Sequence, residues 1–348
     1  MTPDQGTLPP EVVAQRGYLR LRVTPQAINT AILDHPEFAS FKATVTKRFA
    51  AWRTAEATQL KAFDKDDRPK ILIEALSESL LEAFRKVPLL DAYDVYQHLM
   101  DYWETTLQDD AYRIAQEGWR EGAQPREILQ VKNKENKLVW LEKEDYRRGK
   151  RRFKSDLLPP ALVIDRYFVD ERDAIAALEQ DLAAIEELLD EKREEQSDED
   201  GLLAEVVEGE GEKQKITEKA VSARLSAIRG DSDYAEEVAA LTEYRALMKR
   251  QADTKTKIKV AQETLTAKLS ARYTALTEDE VKALVVDDKW LATLGAAVQG
   301  ELSRVSQTLT GRVRQLAERY AMPLPALNNE VNALAARVSE HLKRMSVS

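Results

Sequence analysis

Five apolar residues set the terms on which this chain can fold. Ile175, Leu178, Leu182, Ile185 and Leu189 follow one another at steps of three, four, three and four. That alternation is a heptad seam along one side of a helix, here spanning Phe168 to Leu189. Glu179, Asp181, Glu186 and Glu187 occupy its other faces. A second seam runs through Leu241, Tyr244, Met248, Ile258, Leu265, Leu269 and Leu276. It keeps the same alternation if Gln251, Lys255, Gln262 and Arg272 fill the intervening positions. Two long helices with facing seams predict an antiparallel coiled-coil arm, with the rest of the chain attached at its base. The second seam has a polar centre. Buried polar groups need partners, so that centre is expected to be either solvated or completed by another chain.

A chain of 348 residues, 43% of them apolar, has room for two domains and a sizeable core. No apolar run approaches the roughly 18 residues of a membrane span. Met1 to Pro10 carries no apolar signal-peptide core. Cysteine is absent, which fits a reducing compartment. A cytoplasmic location is expected, with no membrane partner. His35, His98 and His341 lie too far apart for metal-ligand spacing. The net charge of -9 is local: Asp190 to Glu212 alone holds eleven acids and two bases. An acidic average therefore does not argue against a nucleic-acid partner.

The expected architecture is mainly α. Residues 1–24 read as a remnant strand and linker. Tyr18 to Val23 alternates as a strand does, and its partner is expected to lie upstream in a missing domain, making this chain a piece of something longer. Residues 25–118 read as a helical domain. Its first helix, Pro25 to Phe63, carries Phe38, Phe41, Val45, Phe49 and Trp52 on one face. Asp67 caps a second, with Pro69 in its first turn and Ile73, Leu76, Leu80 and Phe84 inward. A third, from Leu90 to Leu107, buries Tyr93, Leu99 or Met100, and Trp103.

Residues 119–158 read as a basic hairpin and hinge. Arg126–Val131 and Lys137–Glu142 form a small β-hairpin, followed by Arg147, Arg148, Lys150, Arg151, Arg152 and Lys154: six bases with no acid among them. Residues 159–277 form the arm, with a disordered acidic loop at 190–215. Within it, Ile216 to Ile228 is a short helix closed at Gly230, and the second arm helix, Asp233 to Leu276, overhangs the first. Residues 278–348 read as a C-terminal helical bundle. Thr277 and Glu280 have capping-box spacing. Asp287 or Asp288 opens a helix with Leu291, Leu294, Val298, Leu302, Val305, Leu309, Val313 and Leu316 on one face. Pro323 and Pro325 break it, and a last helix runs from Leu327 to Met345.

Catalytic templates find no match. The one Gly-x-Gly, Gly209 to Gly211, lies in the acidic loop rather than between a strand and a helix. There is no Walker A sequence and no Asn-Pro dipeptide. Nucleophile pairs have little support without Cys and with scattered His. His98, flanked by Asp94 and Asp101, is the one isolated candidate; a partly exposed helix histidine near acids is the plainer reading. Tyr93, Tyr96, Tyr102 and Trp103 either stack on bases or belong to the core. The run Arg147 to Lys154 either meets nucleic-acid phosphates or is a solvated hinge.

Four stretches resemble the C-terminal part of the modification (methyltransferase) subunit of type I restriction–modification systems. They are Leu90–Asp110 (LDAYDVYQHLMDYWETTLQDD), Lys154–Phe168 (KSDLLPPALVIDRYF), Val285–Leu294 (VVDDKWLATL) and Leu309–Met345. None is a catalytic signature; together they span about a quarter of the chain. The resemblance implies an assembly that methylates adenine N6 in DNA with S-adenosylmethionine. The family's catalytic domain lies N-terminal to the matched region. Its cofactor glycines and Asn-Pro-Pro-aromatic motif have no counterpart here, so this chain is expected to hold no cofactor and to be inactive alone. Family C-terminal helices dock on the specificity subunit. The implied docking residues are Trp290, Leu291, Leu294 and Val298, with Leu334, Val338 and Leu342 of the final helix. The implied partners are the specificity subunit, DNA within the assembled complex and, as a further candidate, the restriction subunit. Met345 is followed by Ser346, Val347 and Ser348 where glycine is expected, as though the terminus were cut or altered. The alternative to an accessory region is a free-standing, self-associating coiled-coil scaffold.

Overall fold

The computed structural model describes residues 12–15, 18–21, 23–132, 136, 138–196, 201–208, 215–320 and 324–345. It is mainly helical, 77% helix, with small antiparallel sheets. Thr2 to Pro10, Gly209 to Gly211, Pro323 and Ser346 to Ser348, all read above, lie outside the described residues. The chain divides into two compact units, residues 1–116 with 286–348 and residues 117–285. The helical stretch from residue 25 and the C-terminal helices, read from sequence as separate domains, thus share one unit.

The first unit begins with β1 (Val12–Gln15) and β2 (Tyr18–Leu21), which pair antiparallel from Val12 opposite Leu21 to Gln15 opposite Tyr18. The strand expected to lack a neighbour therefore has one just upstream in sequence. The first long helix is broken in two, α1 (Ile28–Leu33) and α2 (Pro36–Ala62). Pro36 supplies the break, and His35 caps α2 by accepting the Glu37 N–H at 3.3 Å. Phe38, Phe41, Val45 and Trp52 are buried on α2, as the periodicity predicts. At α3 (Pro69–Phe84) the cap position is Arg68, not Asp67; the Asp67 carboxylate instead accepts the Asp64 N–H at 2.8 Å. Leu76, Leu80 and Phe84 are buried.

Next come α4 (Ala92–Tyr102), a π-helical segment (Trp103–Leu107) and α5 (Gln108–Glu117). Val95 and Leu99, one helical turn apart, set the inward face of α4, and Tyr93 lies nearly opposite Val95. Val95, Leu99, Leu107 and Ile114 are buried, while Tyr93, expected inside, stands 70% exposed.

The second unit contains α6 (Trp119–Gly122) and two hairpins. The strands are β3 (Arg126–Glu127), β4 (Gln130–Lys132), β5 (Leu138–Trp140), β6 (Tyr146–Arg148) and β7 (Arg151–Lys154). β4 and β5 form a two-stranded ribbon; β3, β7 and β6 form a sheet in that order. α7 (Pro160–Tyr167) leads into α8 (Val169–Gln196). Ile175, Ile185 and Leu189 of its seam are buried, and Leu178 and Leu182 half-buried.

A short 3₁₀ turn (Ala204–Val206), β8 (Val207–Glu208), β9 (Lys215–Ile216) and α9 (Glu218–Ala227) precede α10 (Ala235–Ala275). α10 runs antiparallel to α8: Lys268 meets Glu171 at 2.7 Å, Gln262 meets Glu179 at 3.1 Å and Lys192 meets Glu243 at 2.9 Å. The polar centre of the second seam is completed within the chain. Glu186 accepts from Gln251 and from Lys255, each at 2.9 Å, and Asp181 accepts from Arg250. Thr254, not Lys255, is the buried position there, one residue from the ideal seam phase.

The overhanging end of α10 is covered as well. Ile185, Leu189, Leu203, Val206, Val221, Ile228, Leu241 and Tyr244 form one buried cluster. Leu203 and Val206 come from the acidic stretch expected to be a disordered loop. Their burial gives residues 201–208 a reason to fold that net charge conceals, since each buried aliphatic contributes about 1.5–3 kcal/mol.

α11 (Glu278–Lys282) begins with the expected Thr277–Glu280 capping box. A second π-helical segment (Ala283–Trp290) follows, then α12 (Leu291–Arg319) and α13 (Leu324–Met345). Asp287 and Asp288 lie inside the π segment and open no helix. Asp287 instead accepts from Lys61 at 2.6 Å, and its carbonyl from Arg53 at 3.1 Å.

Candidate functional site

The basic run is a hairpin rather than a hinge. Its turn is Gly149–Lys150, with Gly149 at φ +61°, where a side chain would be strained. Arg147 lies opposite Arg152, and Arg148 opposite Arg151. Like charges placed so repel, and acids from outside the run relieve them. Glu144 bonds Arg147 and, at 2.8 Å, Arg152; Asp145 pairs with Lys154 at 3.1 Å; Glu127 lies 3.7 Å from Arg151. A backbone hydrogen bond and then Arg147 hold the Glu144 carboxyl below the usual carboxylate value. Arg148 reaches Ser270 Oγ at only 3.4 Å, and Lys150 is exposed in the turn. Of the six bases, Arg148, Lys150 and Arg151 keep most of their capacity for an external anion. Reading the run alone overstated its free charge, because the neutralising acids sit just before it and on β3.

Aromatic stacking holds this hairpin on its unit. Tyr146 lies between Phe153, 5.2 Å away, and Tyr273, 6.2 Å away, both rings near parallel to it. Tyr273 donates its hydroxyl to the Leu158 carbonyl at 2.6 Å.

The four apolar docking residues near the start of α12 are interior. Trp290 and Leu291 are fully buried, and Leu294 and Val298 nearly so. Lys289 and the Trp290 indole N–H both donate to one Asp110 carboxylate oxygen, at 2.6 and 2.8 Å. Burial pushes the Asp110 carboxyl upward, and Lys289 opposes that shift. These residues are core, which corrects their reading as a docking surface: an apolar helical face has the same periodicity in either role. Leu334, Val338 and Leu342 differ. They are 50, 57 and 60% exposed, in line with exposed Leu327, Val331 and Met345. Every described side chain of α13 from Ala326 onward is exposed.

His98 is not oriented by Asp94 or Asp101. Its Nε2 meets Glu301 Oε1 at 2.7 Å; the other Glu301 oxygen accepts from Arg304 at 2.5 Å, and Arg304 also bonds Asp94. Asp101 accepts from Gln97. Burial raises the Glu301 carboxyl, but His98 and Arg304 outweigh it and hold it below its ordinary value. This cluster ties α4 to α12 with its polar capacity spent internally. Glu301, on an otherwise apolar face, was the signal that sequence reading passed over. Tyr93, Tyr96, Tyr102 and Trp103 do not form one stripe, since Tyr93 points out and the other three are half-buried. Among the described residues no group of three His, Cys, Asp or Glu is placed to hold a metal ion, and no helix is long and apolar enough to cross a membrane.

No protein-family model matches the chain, and neither does any curated protein or solved structure.

Proposed function

We propose that this chain is the C-terminal accessory region of a type I restriction–modification DNA adenine-N6 methyltransferase subunit. Its role would be to dock on the specificity subunit and help clamp DNA, in the cytoplasm, with no catalysis of its own. S-adenosylmethionine would serve the full-length subunit through residues outside this chain. The restriction subunit is a further candidate partner.

The observation that carries the reading is α13. Leu327, Val331, Leu334, Val338, Leu342 and Met345 repeat along one face of a 22-residue helix and are all exposed. Most helical stability in proteins comes from tertiary packing of an apolar face, and a face of this kind suits a groove between partner helices. Trp290, Leu291, Leu294 and Val298 take no part in docking because they are core. The stretch Leu309–Met345, which carries part of the resemblance, includes all of α13. Arg148, Lys150 and Arg151 are the bases offered to DNA phosphates.

The α13 face also suits self-association, as in a coiled-coil scaffold. Pairing of α8 with α10 inside the chain argues against a scaffold built on the arm. Gel filtration with and without the specificity subunit separates the readings. A stable complex at micromolar concentration is expected. Dimerisation with no affinity for that subunit would replace this reading with the scaffold.

A further inference from the structure

Positive charge gathers in the two hairpins. Between Arg126 and Lys154 the described residues hold nine bases and four acids, in a chain of net charge -9. The β4–β5 ribbon has an unusual surface. Val131 lies opposite Val139, and the Leu141 N–H donates to the Leu129 carbonyl at 3.4 Å, so these four side chains share one face. They are 39, 38, 58 and 71% exposed for Val131, Val139, Leu141 and Leu129. A two-stranded ribbon alone is marginally stable. This one is pinned near its base, where the Arg152 guanidinium sits 4.3 Å from the Trp140 ring centroid. Exposed Lys132 and Lys143 flank it, and exposed Arg148 and Lys150 follow in the next hairpin. The nearby acid Glu142 is engaged by Arg126 at 2.6 Å.

A pinned ribbon with cationic flanks fits a polyanion better than it fits an apolar protein surface. A two-stranded ribbon also matches the width of the DNA major groove, about 12 Å. We propose that β4–β5 enters a groove of duplex DNA. Leu129, Val131, Val139 and Leu141 would lie against sugars and thymine methyl groups, while Lys132, Lys143, Arg148 and Lys150 neutralise flanking phosphates. The proposal rests on the DNA-clamp reading above and adds the element that does the clamping.

The test uses the full chain in complex with the specificity subunit, titrated with a fluorescent duplex over a range of salt. Lys132→Glu with Lys143→Glu is expected to weaken binding at least tenfold. It should also flatten the salt dependence by about two counterions, at about 0.9 per phosphate contact. In parallel, Val139→p-benzoylphenylalanine, which leaves every charge in place, is expected to photocrosslink to DNA. Unchanged affinity and slope would overturn the ribbon's role. So would a Val139 crosslink to protein alone, which would make the ribbon a protein-docking surface. In either case the complex would still bind DNA and the clamp reading would stand. If the wild-type complex binds no duplex, the clamp reading itself fails.

Discussion

The two units handle buried polarity in opposite ways. In the first, Asp110 and Lys289 are nearly sealed from water, with side chains 5 and 10% exposed, and Trp290 shares the carboxylate. In the second, the polar centre of α10 meets α8 at the rim, where Lys255 and Glu186 are 53 and 43% exposed. A sealed pair fixes which residues must face each other and is costly to half-remove. A rim pair is solvated whether or not its partner is present. The Asp110–Lys289 pair of the first unit should therefore be intolerant of single polar changes, and the α8–α10 pair forgiving.

Four changes sharpen or break that contrast. The largest effect is expected from Lys289→Met, which strands Asp110. It should cost about 3–5 kcal/mol in urea unfolding. Adding Asp110→Leu should recover most of that loss, because both members of the ion pair are then gone. Failure of that recovery would show that the pair is not the source of the loss. Next is Leu203→Ala, within the acidic stretch. Its burial predicts a loss of about 2–5 kcal/mol, whereas a solvated loop would show none.

Glu301→Gln should cost about 1.5 kcal/mol at neutral pH, since it weakens hydrogen bonds to charged groups. It should also flatten the acid limb. Glu301 is held below its ordinary value of 4.5, so its contribution is complete above 4.5 and lost as pH falls through the lower folded value. Urea midpoints measured across that range check the sign. The smallest effect belongs to Lys255→Ala, expected within about 0.5 kcal/mol. A larger loss would mean that the packing of α8 on α10 depends on its rim pairs.

Sequence periodicity marked the inward face of α8. All five residues of the α8 seam are buried or half-buried, and the capping box at Thr277 formed. It failed where one residue changes the phase. The π segment at Ala283–Trp290 puts Asp287 inside a continuous helix, and nothing in residue type announces such a turn; Tyr93 falls outside because Val95 and Leu99 set the inward face of α4. In the second seam Thr254 is buried in place of Lys255, whose long side chain reaches Glu186 at the rim. Charge counting misled twice: acidity hid Leu203 and Val206, and the bases of Arg147–Lys154 were counted without Glu144, Asp145 and Glu127. Of the docking residues, periodicity marked the apolar faces correctly. It had no means of separating Trp290, whose face is filled by its own unit, from Leu334, whose face is open.

The most direct test of the account is hydrogen exchange at α13, measured alone and with the specificity subunit added. Fast exchange from Leu324 to Met345 is expected in the free chain and strong protection in the complex, abolished by Leu334→Asp with Val338→Asp. Protection that instead rises with the concentration of this chain alone, and is unchanged by the specificity subunit, would contradict it.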